Sequence, residues 1–314
     1  MGRWIEKYRG CTAKQDAGKF PLLRHGSPMQ AARLICSGLL VLLASGWLSS
    51  AAMADEAAAR AAMEDSTHPL LHIATTQGDI FVEMLPAEAP RNVARFVDLA
   101  EGRVTFTDPA SGASYNPRYF DGMRFHRVIP GLLIQTGSPA KHPLGAPAEM
   151  LPDEINGAML GLDTRFVFSD DNRLSPLLNV GTRQDLEQTL LQPLYRRMGI
   201  DENDELRSRQ FEVAAALRQM TLQQAYENLG YRYDPTLISR PIERGIMALA
   251  NQGPNSNGPE FFIATSTAPW LDGRHTVIGR VVDGMDVVDR INRFAMDPLT
   301  DDRQSTLIFS IRSR

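Results

Sequence analysis

The apolar rhythm of this chain changes twice, and those changes constrain the fold more tightly than its overall composition does. Residues 71–76, Gln77-Gly78-Asp79 and 80–84 read as two strands around a glycine-bearing turn. Pro90 then opens a helix, with Val93, Phe96, Val97 and Ala100 at i, i+3, i+4 and i+7 and Gly102 at its stop. After the turn-rich stretch 103–122, the apolar content returns over 123–135, interrupted by Pro130-Gly131. Between about 157 and 236 the period becomes helical: 182–198, 204–217 and 221–229 each carry an amphipathic pattern. From Pro241 onward short strands return at 245–250, 261–264 and 277–282. A helix at 285–294 and a last strand at 307–311 follow. The fold class is therefore mainly β, with strand-rich flanks around an inserted helical segment at 157–236.

At the N-terminus, residues 34–48 are mostly apolar, follow Arg33, and end in Ser49-Ser50-Ala51-Ala52-Met53-Ala54. Ala52-Met53-Ala54 is a small-x-small site of the type signal peptidase cuts, so residues 1–54 read as a signal peptide. Met29 offers a simpler start, and the first 28 residues read equally well as a mis-assigned beginning. The chain is expected to be exported, to the periplasm in a Gram-negative cell, after cleavage following Ala54. An uncleaved signal anchor tethering it to the membrane is the alternative. Residues 55–69 read as either a short helix or a flexible lead before the domain proper at 70–314.

Charge and cysteine usage exclude several function classes. Cys11 and Cys36 both fall in the leader, so the mature chain has no thiol for catalysis or disulfides. The formal charge is −4, and removing 1–54 leaves a net of −9. A surface this acidic argues against nucleic acid and anionic membranes as partners. The acidic run Asp201-Glu202-Asn203-Asp204-Glu205 lacks the glycine and ligand spacing of a calcium loop. It reads as the charged first turn of a helix, and no metal or cofactor is expected.

Three ordered segments carry the chemistry. They are Phe125-His126-Arg127-Val128-Ile129-Pro130-Gly131-Leu132-Leu133-Ile134-Gln135-Thr136-Gly137, then Ala250-Asn251-Gln252-Gly253-Pro254-Asn255-Ser256-Asn257-Gly258-Pro259-Glu260-Phe261-Phe262-Ile263, then Trp270-Leu271-Asp272-Gly273-Arg274-His275-Thr276-Val277-Ile278-Gly279-Arg280-Val281. Together they resemble the signature of the cyclophilins, a family of peptidyl-prolyl cis–trans isomerases. The likeness covers about 70–155 and 237–314, including the acidic pair Asp153-Glu154. It implies a closed eight-stranded antiparallel barrel capped by two helices, with its active groove on the outer wall.

The resemblance implies isomerisation of X–Pro bonds in exported proteins, without a cofactor. Arg127 is then the donor to the prolyl nitrogen and Gln135 its orienting neighbour. Leu132, Leu133, Phe262 and Leu271 line the proline pocket, and His275 closes its side. Trp270 stands on the rim. Asn251 binds substrate backbone, and Ala250, Gln252 and Glu260 lie in the same substrate-binding stretch. His126 reads as a packed structural imidazole.

The sequence departs from the family at Leu132 and Leu133, where Phe and Met are usual, and at Glu260, where Gln is usual. A carboxylate at 260 is expected near Arg127, either pairing with it or quenching its field. Trp270 favours cyclosporin-type inhibitors and Leu132 disfavours them, so that binding stays open. The partners implied are proline-containing peptides and unfolded segments. The competing reading is a proline-binding chaperone with weak or no turnover. The insertion is a candidate surface for a dedicated partner or for self-association.

Overall fold

The computed structural model describes residues 54–108, 111–294 and 305–314. The leader reading, apart from Ala54, lies outside them. Among the described residues no helix is long and apolar enough to cross a membrane.

The lead carries a short helix, α1 (Glu56–Ala61). Its Ala59 is buried with Leu70 and Phe81, so the lead packs on the sheet. Glu83, fully buried, accepts from the amides of Glu64 and Asp65 at 3.0 Å and from Arg280 Nε at 2.9 Å. Burial alone would raise the Glu83 pKa. The two amides, His68 and Arg280 outweigh it and hold the carboxyl below its ordinary value.

Strand β1 (Leu70–Thr75) pairs with β2 (Gly78–Met84) in a two-residue hairpin. Thr75 closes the turn by donating its hydroxyl to the Gly78 carbonyl. Gly78 is the first strand residue rather than the turn centre. Its φ of +126° and the Val287 side chain, 3.0 Å from where a Cβ would sit, require glycine there.

Helix α2 (Pro90–Glu101) starts at Ala89, which has no capping side chain. Glu154 supplies the cap from 62 residues away, accepting from the Arg91 and Asn92 amides and from Asn92 Nδ2 at 3.1, 2.9 and 2.8 Å. A carboxylate at a helix N-terminus satisfies otherwise orphaned donors and complements the dipole. Glu154→Ala is expected to lower stability by about 1–2 kcal/mol, read as a shifted denaturant midpoint with an unchanged slope.

The remaining strands follow in order: β3 (Phe106–Thr107), β4 (Ser114–Tyr115), β5 (Arg127–Ile129), β6 (Leu133–Thr136), β7 (Ile246–Leu249), β8 (Phe261–Ala264), β9 (Val277–Asp283) and β10 (Ile308–Ser313). β3 and β4 form a separate two-stranded ribbon. The other eight make one antiparallel sheet in the order β10-β1-β2-β9-β7-β8-β6-β5. This curled sheet is not the closed barrel expected. β5 and β10 are its edges, and no ladder joins them among the described residues. The edges approach each other just before β5 and around the start of β10. There Gly122 and Phe125 donate to Ile308 and Thr306 carbonyls, and Arg124 bridges Leu307.

Alternation along β8 divides the side chains between two layers. Phe261 and Ile263 enter the core beneath α2, where Phe261 packs edge-on against Phe96 and Phe120. Phe262 and Ala264 face the other way, into a second apolar cluster.

The inserted segment has its own hydrophobic core, including Leu162, Leu190, Leu194, Leu222 and Tyr226. α3 (Arg183–Leu186) begins at Thr182 in a reciprocal cap with Asp185. A π-helical turn over Glu187–Leu191 leads into α4 (Gln192–Met198). The widened turn precedes Pro193, which has no N–H for an interior helical bond. The stretch 204–217 divides at Arg209 into α5 (Asn203–Ser208) and α6 (Gln210–Gln219). Helix α7 (Leu222–Leu229) is capped by Thr221 and Gln224, and α8 (Met285–Asn292) packs on the main core.

Candidate active site

Strand register builds the site. Arg127 lies opposite Gln135, and Gln135 opposite Phe262, across β5, β6 and β8. Directly opposed residues share a face, so a cation, an amide and an aromatic ring stand in one row on the outer side of the sheet. The next row places Ile129 opposite Leu133 and Leu133 opposite Ala264. Leu132, Leu133, Ala250, Phe262, Trp270 and Leu271 all belong to the same outer cluster. Ile129, Leu85, Ile246 and Val277 also join it. Ile129 is legible as the cross-strand partner of Leu133 once the Pro130-Gly131 turn fixes the register.

The polar half of the row is a relay. Arg127 Nη1 donates to Gln135 Oε1 at 2.9 Å, and Gln135 Nε2 donates to Glu260 Oε1 at 2.6 Å. The same Glu260 oxygen meets His126 Nε2 at 3.0 Å. Glu260 can only accept, so His126 Nε2 donates, while its buried Nδ1 has no partner among the described residues. The Gln135 amide is thereby oriented, oxygen toward the guanidinium and nitrogen toward the carboxylate. Glu260 thus reaches Arg127 through Gln135, and His126 is the packed imidazole that steadies it.

His275 stands edge-on to Phe262 at 5.4 Å, and its Nδ1 donates to the Leu249 carbonyl at 3.0 Å. Burial, assisted by Arg274 and Arg127, pulls its pKa down to about 4. At neutral pH it is an uncharged wall. The Asn251 side chain turns away, donating to the Arg274 carbonyl at 2.9 Å and to Asn257 Oδ1 at 3.2 Å. Its own N–H and C=O make no hydrogen bond among the described residues. Gln252 is exposed on the following turn, its N–H bonded to Ser256 Oγ, and it does not join the apolar cluster.

Residues 70–312 match the family model described as cyclophilin type peptidyl-prolyl cis-trans isomerase/CLD. The chain belongs to the cyclophilin family of peptidyl-prolyl cis–trans isomerases. Among its relatives, peptidyl-prolyl cis-trans isomerase B of Streptomyces anulatus is 27% identical over 229 residues, 72% of this chain and 85% of that protein. A peptidyl-prolyl cis-trans isomerase of Arabidopsis thaliana is 29% identical over 71% of this cyclophilin, which spans only 21% of that longer chain. A crystal structure of a Cryptosporidium parvum cyclophilin type isomerase in the presence of the dipeptide Ala-Pro aligns with a TM-score of 0.42 at 18% identity. That alignment covers 78% of this chain and 98% of that one.

Proposed function

We propose that this cyclophilin turns over X–Pro bonds in exported proteins, with Arg127 as the donor to the prolyl nitrogen. The amide barrier of about 18–20 kcal/mol comes from C–N conjugation. As the bond twists, the nitrogen pyramidalises and its lone pair becomes available. A permanently charged, forked guanidinium at that nitrogen favours the twisted state over the planar one. No covalent bond breaks and no proton needs to move. The apolar cluster receives the proline ring, and the Asn251 main chain takes the flanking peptide. The observation carrying this reading is the single row Arg127–Gln135–Phe262, charge beside apolar surface. Its test is isomerisation of a prolyl peptide by wild type and Arg127→Ala.

The relay adds a graded expectation. Glu260→Gln retains an oxygen that accepts from both Gln135 and His126, so kcat/KM should stay within about twofold of wild type. Glu260→Ala removes the acceptor and should cost about five- to tenfold, the equivalent of one hydrogen bond of roughly 1 kcal/mol. Equal losses in the two variants would mean that the charge, not the hydrogen bond, is what matters.

The exported setting rests on the leader and on the place of Asp55. Its N–H donates to Asp283 Oδ2 at 2.7 Å. Cleavage after Ala54 turns that N–H into an ammonium group already facing a carboxylate. N-terminal sequencing of the protein recovered from cells should read Asp-Glu-Ala; a start upstream of Asp55 would favour the membrane-tethered form.

A second reading, client holding by the insertion, is favoured by Phe166 and Phe211, which are 52% and 81% exposed. Phe166 borders a surface cleft of about 400 Å³ with Leu174 and Pro176. A surface of this kind suits an unfolded client, a dedicated partner or a second copy. Suppression of client aggregation that is lost in the Phe166→Ser, Phe211→Ser double variant would support client holding.

A further inference from the structure

The insertion touches the outer-face site at its least supported part. The segment 269–275 carries Trp270, Leu271 and His275, yet it lies between β8 and β9 and belongs to neither strand. A segment outside the ladders needs other contacts to hold its shape. Besides Leu249, Ile242 and Asn251, which bond to His275, Asp272 and Arg274, the insertion supplies them here.

Four contacts converge on this segment. Tyr233 donates its hydroxyl to the Gly273 carbonyl at 2.9 Å. Leu162, buried in the insertion's own core, lies so close to Gly273 that a Cβ there would overlap its Cδ1. The Arg274 guanidinium stacks over the Tyr226 ring, 5.8 Å from its centre. The 3-10 turn Pro176–Leu178 packs against the turn Pro269–Leu271, and Tyr226 Oη holds that first turn by donating to the Leu177 carbonyl at 3.1 Å. Tyr226 therefore touches both ends of the arrangement. Gly273 has a φ of +74°. Glycine both permits that backbone and admits Leu162, two reasons for one residue.

The contacts reach the opposite wall as well. The Arg274 carbonyl accepts from Asn251 Nδ2, so the segment the insertion braces also anchors the Asn251 loop. On the far side of that loop, Pro254 faces Gly230 at the end of α7.

We propose that the insertion is a structural part of the proline-binding site. Through Tyr233, Leu162 and Tyr226 it holds Gly273 and Arg274, and so sets the positions of Trp270, Leu271 and His275. Tyr233 and Leu162 are positioning residues: neither faces the Arg127 row, and each acts through Gly273. This rests on the isomerase reading above and gives the insertion a role within it, whether or not its outer surface also binds clients.

Positioning of the binding wall predicts a split in the kinetics. The wall grips proline, while Arg127 and Gln135 lie on β5 and β6 and Glu260 just before β8, away from the contacts the insertion makes with 269–275. Tyr233→Phe and Leu162→Ala in the full chain should therefore raise KM for a prolyl peptide by about fivefold while kcat stays within twofold. Hydrogen–deuterium exchange should accelerate in 269–276 and stay unchanged in 127–136. A purely structural role would lower thermal stability but leave both the KM and the local exchange as in wild type. Tyr233→Phe removes one oxygen, so it keeps the test valid if Leu162→Ala fails to fold. Unchanged KM and unchanged 269–276 exchange in folded Tyr233→Phe would overturn the proposal. An Arg127→Ala control run beside them separates the two claims: full activity in that control would instead overturn the isomerase mechanism.

Discussion

Arg127→Ala should lose about 10²- to 10³-fold in kcat/KM for a prolyl peptide, almost all of it in kcat. That is the scale of removing one preorganised donor aimed at charge that develops in a transition state, about 3–4 kcal/mol. The binding term should move little, because the apolar cluster around Leu133 and Phe262 has no need of the guanidinium to stay packed. The fold should also survive. Arg127 lies on an edge strand of three residues and is only partly buried, so its truncation opens no core cavity. Arg127→Lys should fall between the two, since a lysine restores the charge but not the fork that meets Gln135 Oε1. Exchange spectroscopy on an Ala-Pro peptide measures all three rates without a coupling protease. Equal turnover by wild type and Arg127→Ala would remove Arg127 from the mechanism, and turnover no faster than the uncatalysed rate in both would leave the proline-binding chaperone as the better account.

Much of this site is legible in the amino-acid sequence, and the reason is local. A proline-glycine turn fixes the register of β5 on β6, so Arg127 and Gln135 eight residues apart must face each other. Phe261-Phe262 must split between core and outer face because side chains alternate along a strand. What could not be read depends on where distant segments meet. Glu260 is expected near Arg127, but that its place one residue before β8 sets it against Gln135 and His126 could not be read. The cap on α2 comes from Glu154, a residue whose role no local pattern announces. Closure of the sheet is a similar case: the residues that bring its edges together, 122–125 and 306–308, lie far apart in the sequence. The insertion's contacts with 269–275 are the least legible. They rest on a tyrosine hydroxyl, a leucine methyl and a glycine without a side chain, none of which marks the sequence around it.

Asp272→Asn should make the protein more stable at neutral pH, by up to about 3 kcal/mol, and leave it unchanged near pH 4. Asp272 lies in the braced segment, buried, with Oδ1 accepting from the Ile242 amide at 2.7 Å. Burial raises its pKa from the ordinary 3.8 to about 6, despite that hydrogen bond and the charge of Arg165. The folded state thus binds this proton more tightly than the unfolded chain does. Stability falls as pH rises from about 4 to 6, and the penalty is complete above that window. A rise from 3.8 to about 6 corresponds to about 3 kcal/mol as a ceiling. Three residues away, His275 has the opposite sign. Its folded pKa is held down at about 4, below the ordinary 6.5, so its contribution is present above 6.5 and lost as pH falls toward 4. The two windows overlap and the two slopes oppose, so these groups together flatten the wild-type profile across pH 4–6.5. Asp272→Asn removes one slope and exposes the other. Denaturant melts across this range should show the variant's advantage shrinking steadily on acidification, while His275→Gln shows a difference from wild type that moves the opposite way. An advantage for Asp272→Asn that is constant with pH would mean that its carboxylate is not held at a cost in the folded state. The charge beside the proline wall would then be as well solvated as one on the open surface.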